Sequence, residues 1–284
     1  MITIFKHALS KNRGAILGWG LTLALLAMMF ALFFDSISAN GAQFQALLET
    51  YPKELIAFFS ASGAFDMTTA EGFLSIEYFS FMPLVIGVFA VIAGSGVLVA
   101  DEESGVLDLI AAQPVSRSSL FWGRLFALIV TLILILALGY AGVMLGTTYS
   151  KMELDPLMTI FPFASMFAYL FFFAGLALLL SMWLPSRSSA SMVSGIVLAA
   201  GFFLNGMAHV NDTLANVEPF LPNTYYQSEG WLDGFKWDWF AILVGVGLLF
   251  ALLAWWSFLR RDIRVGGEGS FRLPWFRRRV AAKT

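Results

Sequence analysis

Six runs of about 20 predominantly apolar residues constrain the fold of this chain more than any other feature. A helix needs about 20 such residues to cross the hydrocarbon core of a bilayer. Hydrophobic residues make up 59% of the 284 residues and charged residues only 13%, which is too apolar for a soluble domain. The sequence therefore predicts an all-α integral membrane protein. Its six spans are predicted near 15–34, 79–100, 121–146, 158–184, 190–209 and 239–259.

The basic residues predict the orientation of these spans. If both termini are cytoplasmic, fourteen of the seventeen Lys and Arg residues lie inside, and only Lys53, Lys151 and Lys236 lie outside. Loops rich in Lys and Arg remain on the cytoplasmic side of a membrane. Tryptophans also lie near the predicted ends of the spans, as in an interfacial aromatic belt. The outer group of this belt consists of Trp231, Trp237 and Trp239.

Three further segments flank or connect the spans. Residues 1–14 place Ile2, Phe5 and Leu9 on one helical face, which predicts an interfacial helix, although a basic flank that only sets topology is the alternative. The first apolar run is too long for a signal peptide, so we expect it to be retained. The outer loop near 35–78 is predicted to contain one or two short helices. A basic tail covers 260–284.

Several kinds of chemistry find no support in the sequence. The chain has no cysteine and two histidines, and no lysine follows a glycine, so the Gly-Lys of a nucleotide-binding loop is absent. No catalytic, cofactor or metal site is predicted, and no nucleic-acid partner. A membrane-embedded enzyme using Ser194 and His209 is one alternative function, but about 22 Å of helix would separate these two side chains. An ion-coupled carrier or channel is another, although the span interiors lack charge.

A charged segment, 101–125, lies between the second and third apolar runs and includes the start of the third. A helix over 103–113 would place Val106, Leu109 and Ile110 on one face. The acids at 101–103 would occupy its first turn, where the helix dipole favours carboxylates, and Pro114 would end it. A loop that only terminates two spans would not need an apolar stripe between acids. The pattern therefore predicts a docking helix for a soluble partner. Ser-Arg-Ser-Ser occurs at both 116–119 and 186–189, where serines are expected to cap the next helix.

This segment resembles the first inner loop of the ABC-2 type permeases, the membrane subunits of ATP-driven exporters. Their signature is an acidic stretch, a Gly-Thr-Leu-like turn, Pro-Val-Ser-Arg and a Gly-Lys-Leu that enters the third span. The matching residues are Glu103, Gly105, Leu107, Leu109, Pro114, Val115, Ser116, Arg117, Gly123 and Leu125. Val106 replaces the usual threonine and Arg124 the usual lysine, which removes neither apolar surface nor charge. The six-span layout extends the resemblance over essentially the whole chain.

The resemblance implies a multi-pass permease of a prokaryotic plasma membrane that exports its substrate by alternating access. A separate cytoplasmic ABC ATPase, which carries the ATP and Mg²⁺, would dock on the first inner loop, called the coupling helix. The permease would pair with a second copy or a paralogue. The implied coupling residues are Asp101, Glu102, Glu103, Gly105, Val106, Leu107, Leu109, Ile110, Pro114 and Arg117, with Ser186 and Arg187 in the second inner loop. Nothing in the sequence identifies the substrate.

Overall fold

The computed structural model describes residues 1–41, 43, 50–52, 58, 67–105, 115–232 and 234–260. Within these residues every regular element is helical, and six helices are long and apolar enough to cross a membrane. The predicted all-α, six-span membrane fold is confirmed. The apolar stripe of the predicted docking helix, most of the first outer loop and the tail from residue 261 lie outside the described residues.

The chain begins with a short helix, α1 (Ile2–Lys11), which is followed by the first long helix, α2 (Arg13–Ala39). The elements after the first outer loop are α3 (Ala70–Leu74), a π-helical turn (Ser75–Phe79), α4 (Met82–Glu103), α5 (Arg117–Tyr149), α6 (Ile160–Trp183), α7 (Arg187–Ala208), α8 (Asp212–Ala215) and α9 (Trp237–Arg260). Two short 3-10 turns, Glu218–Phe220 and Pro222–Tyr225, lie between α8 and α9.

The second span starts earlier than the prediction near residue 79. Helix α3, the π-helical turn and α4 follow one another without a long break, so the candidate span covers Ala70–Glu103, or 34 residues. The Thr69 hydroxyl begins this run by accepting a hydrogen bond from the Gly72 N–H at 3.1 Å. Glu71 and Glu77 lower the hydropathy of the first two turns, which explains why the sequence pattern placed them in the loop.

Small residues let the long helices approach closely. Helix α6 is the most buried span, with 72% of its apolar window inside the protein, and α4 and α9 pack along it. A Cβ added at Gly94 of α4 would overlap the backbone of Ala174 in α6. Gly142 of α5 meets the backbone of Ala24 in α2 in the same way. Such contacts supply much of the packing between helices where no water drives association.

The bundle has two ends, which we call the Asp101 end and the Trp231 end. At the Asp101 end, α1 lies against α5, where a Cβ added to Gly123 would come within 3.1 Å of the Ile4 side chain. At the other end, the segment between α8 and α9 folds inward, and Trp231 is 1% exposed and donates its indole N–H to the Ser75 hydroxyl at 3.3 Å. The prediction that Trp231 belongs to an interfacial belt is therefore wrong.

Candidate functional site

The three acids of the predicted docking segment lie in the last turn of α4. This helix continues to Glu103, so the prediction that Asp101, Glu102 and Glu103 open a separate helix is wrong. The negative end of a helix dipole disfavours carboxylates at this position. Glu102, in the same turn, is only 3% exposed. The stability of this turn therefore depends on positive partners from other helices.

Asp101 has two such partners. The Arg124 guanidinium of α5 contacts Oδ2 at 2.7 Å, and the Lys11 ammonium of α1 contacts Oδ1 at 2.9 Å. Arg124 also donates to the carbonyl oxygen of Val97, one turn earlier in α4, at 3.0 Å. The Arg124 side chain is 10% exposed and that of Lys11 is 64% exposed. Asp101 therefore joins α4 to α5 through a partly buried contact and to α1 through an exposed one.

A second polar contact fixes α1 near its C-terminal end. The Asn12 amide, just after α1, donates to the Thr131 hydroxyl of α5 at 3.0 Å. Thr131 is fully buried and donates in turn to the Ala127 carbonyl at 2.8 Å. The N-terminal helix is thus held to α5 by Asn12 and to α4 by Lys11. The sequence marked Lys11 only as a topology signal, because nothing in it indicates a partner ninety residues away.

Glu103 connects the end of α4 to the start of α7. Its Oε1 accepts a hydrogen bond from the backbone N–H of Arg187, the first residue of α7, at 2.7 Å. A helix N-terminus has free N–H groups and a positive dipole end, so a carboxylate is stabilised there. The sequence predicted that a helix dipole favours these acids. Glu103 does lie at a favourable helix end, but the helix is α7. Two residues predicted in different loops are brought together here.

The Arg187 side chain extends the same contact along α4. Its guanidinium passes over Gly96 and donates to the Ile92 carbonyl at 3.1 Å. Nearby, the hydroxyls of Ser95 and Ser191 are 2.7 Å apart. Three polar contacts, including the one from Glu103, therefore join α4 to the first turns of α7. The sequence predicted a role for Arg187, whereas the Ser95–Ser191 pair was not anticipated.

Local backbone chemistry defines the helix ends at this end of the bundle. Gly105 follows α4 with φ of +73°, a left-handed conformation that suits glycine after a helix. Ser116 caps α5 by accepting from the Ser119 N–H, and Ser186 caps α7 by accepting from the Ser189 N–H, both at 3.1 Å. The predicted serine caps are confirmed. The segment between Gly105 and Ser116 is therefore held at a helix end on each side.

Arg117 contacts α9 and not Asp101. It donates to the Phe258 carbonyl near the end of α9 at 3.4 Å, and its guanidinium lies 6.0 Å from the centre of the Phe258 ring. It thus connects the start of the third span to the last one. The other predicted coupling residues lie outside the described residues, and they are Val106, Leu107, Leu109, Ile110 and Pro114.

The residues of the alternative enzyme prediction are not brought together. Ser194 lies inside α7 and His209 just after its end, so about 22 Å of helix separates them at the usual rise. The buried Ser194 hydroxyl has no hydrogen-bond partner in the part of the chain that the structure describes. Among the described residues, no group of three or more His, Cys, Asp or Glu side chains is placed to hold a metal ion.

Comparison with known proteins assigns most of the chain to one family. Residues 2–263 match the sequence model of a family described as "ABC-2 family transporter protein". The match begins in α1 and extends just beyond α9, so it includes every described helix. No curated protein matches the chain.

Proposed function

The chain belongs to the ABC-2 family of transporter proteins, and on that premise we propose that it is the permease subunit of an ATP-driven exporter. In this proposal a separate ABC ATPase docks on segment 106–114, and a second permease copy or paralogue completes the transporter. The Asp101 end faces the cytoplasm of a prokaryotic cell, in agreement with the positive-inside distribution of Lys and Arg. The ATP and Mg²⁺ bind to the ATPase.

The observation that supports this proposal best is the way in which segment 106–114 is attached. On one side it follows the turn that contains Asp101 and Glu103, which contact α5, α1 and α7. On the other side it leads into the capped start of α5. A displacement of this segment would therefore act on four helices. Such an arrangement would let a soluble ATPase act on several membrane helices at once.

The contacts differ in how firmly they would transmit such a movement. The Arg124–Asp101 pair is partly buried, so breaking it would leave charge in a desolvated site. The Lys11–Asp101 pair is more exposed and weaker. We therefore propose that α4 and α5 move together when the ATPases close on ATP, while α1 adjusts its position against them. Helix α7 follows through the contact between Glu103 and its first N–H group.

The proposal is tested by purifying the tagged full chain from membranes of its own host and identifying the proteins that accompany it. We expect an ABC ATPase in stoichiometric amount. Because Leu109 and Ile110 belong to the predicted apolar stripe, L109D or I110D should remove the ATPase while the permease still inserts in the membrane. The matched control is L157D, because Leu157 is 73% exposed at the Trp231 end.

Two results would contradict the proposal. One is the retention of the ATPase by both L109D and I110D at the wild-type ratio. The other is substrate transport by the purified chain alone, without any ATPase, because a family permease of this kind carries no nucleotide-binding motif of its own. Membrane insertion of each variant is checked by its extraction with detergent and its elution volume in size-exclusion chromatography.

A further inference from the structure

The Trp231 end contains a half-open cavity of about 650 Å³. Its walls include α3 with the π-helical turn, the last residues of α7, and residues from the segments 218–230 and 234–239. This volume falls in the range of small-molecule sites, which is about 300–1,000 Å³. The cavity lies at the opposite end of the bundle from Asp101, so it takes no part in the contacts of Asp101 and Glu103.

The charged groups of this cavity are mostly acidic. Among the lining residues that the structure describes, the carboxylates are Glu71, Glu218 and Glu229 and the only ammonium is Lys236, which gives these four groups a formal charge of −2. Glu71 is held in place because it accepts the Leu232 N–H at 3.2 Å. Carboxylates that line one concave surface attract a cation through their combined field.

Aromatic rings form the apolar part of the walls, and one of them already binds a cation. The Lys236 ammonium lies 3.9 Å from the centre of the Trp239 ring, within the range of a cation–π contact. The Tyr226 ring lines the cavity while its buried hydroxyl donates to the Phe79 carbonyl at 2.9 Å. Burial, together with the neighbouring Tyr78 and Tyr169, raises the pKa of Tyr226 well above its usual value. Tyr226 therefore stays neutral.

From these features we infer that the cavity binds a lipophilic organic cation. The charged group of this cation takes the place of the Lys236 ammonium on the Trp239 ring. There it lies in the electrostatic field of Glu71 and Glu218. Its apolar body contacts the rings of Phe202 and Tyr226, which also line the cavity. That such a cation is the exported cargo rests on the proposed function, whereas the binding itself does not.

Two probes of the same shape and opposite charge test this inference. Tetraphenylphosphonium and tetraphenylborate are each equilibrated with the purified full chain in a non-ionic detergent, without ATPase or nucleotide, and bound probe is measured by dialysis. We expect saturable binding of the phosphonium and only detergent-like partitioning of the borate. Equal binding of both ions, or the absence of saturable phosphonium binding, would overturn the inference.

Variants locate the site. The double variant E71Q/E218Q keeps side-chain shape and the acceptor for Leu232, and it should weaken phosphonium binding about tenfold or more. K236M removes the competing ammonium and should strengthen binding several-fold. The matched control is E153Q, because Glu153 is exposed in a different loop of the same end. An equal loss in E153Q, or no change in E71Q/E218Q, would contradict the assignment.

The outcome is independent of the test of the proposed function. If an ABC ATPase copurifies but the phosphonium does not bind, only the cation site is wrong. If the phosphonium binds with the expected charge dependence but no ATPase accompanies the chain, the cation site stands and the exporter proposal is wrong. Thermal unfolding of each variant verifies that a change in binding does not reflect loss of the fold.

Discussion

The carboxylate of Glu103 accepts a hydrogen bond from the backbone N–H of Arg187 at 2.7 Å, and so joins the end of α4 to the start of α7. The acid lies at the unfavourable C-terminal end of its own helix and at the favourable N-terminal end of the other. The end of α4 and the start of α7 in this ABC-2 family transporter are therefore in contact. A movement of one of these helix ends would displace the other.

Replacing Glu103 by alanine should weaken this contact specifically. Removal of a side chain that caps a helix costs about 1 kcal/mol, so E103A should lower the melting temperature slightly and increase hydrogen exchange at residues 187–190. If the proposed coupling is correct, ATPase still copurifies but transport falls. The control is E153A, an exposed glutamate at the Trp231 end. Unchanged exchange at the start of α7 in E103A would show that the contact is unimportant.

The two partners of Asp101 should contribute unequally to stability. R124M leaves Asp101 and the Val97 carbonyl without their buried donor, so we expect a loss of about 2 kcal/mol or more. K11M removes an exposed charge and should cost less than about 1 kcal/mol. Thermal unfolding of the purified variants measures both losses of stability. Added salt should reduce only the loss that K11M causes. Equal losses would contradict the difference in burial between the two pairs.

The sequence predicted the elements of the fold better than the contacts of the site. Apolar runs identify spanning helices because the bilayer sets their length, and serines after Pro185 and before α5 identify caps through local chemistry. The continuation of α4 through Asp101–Glu103 was missed, because three adjacent acids indicate a helix start when their partners are unknown. Two of those partners, Lys11 and Arg187, come from distant parts of the chain. Only the packing of the helices brings them close to the acids.

The close approach of α4 and α6 predicts a severe effect of a single methyl group. G94A would overlap the backbone of Ala174, which has no flexible side chain to move aside. We expect a loss of about 2 kcal/mol or more and poor recovery of the folded protein from detergent. The control is G245A in α9, which has no neighbouring atom within 4 Å of its added Cβ and should be neutral or slightly stabilising. Equal recovery of both variants would show that these helices separate easily.

The proposed orientation is open to a labelling test because the chain contains no cysteine. Single cysteines at Lys151 and Ser188, both exposed and at opposite ends of the bundle, provide two reporters. A membrane-impermeant maleimide added to intact cells should label K151C directly and S188C only after the membrane is permeabilised, because the positive-inside rule places residue 188 in the cytoplasm. The reverse pattern would place the Asp101 end outside the cell.

Gly105 should control the direction in which segment 106–114 leaves α4. Its φ of +73° is accessible to glycine and tolerated by asparagine. For alanine this left-handed conformation costs about 1 kcal/mol or more in free energy. A change in this direction would move the proposed docking segment without disturbing the buried contacts of Asp101. We therefore expect G105A to reduce the amount of ATPase that copurifies and G105N to retain it, while the melting temperature of G105A falls only a few degrees below that of G105N. If G105A and G105N retain equal amounts of ATPase, the left-handed turn does not position the docking segment.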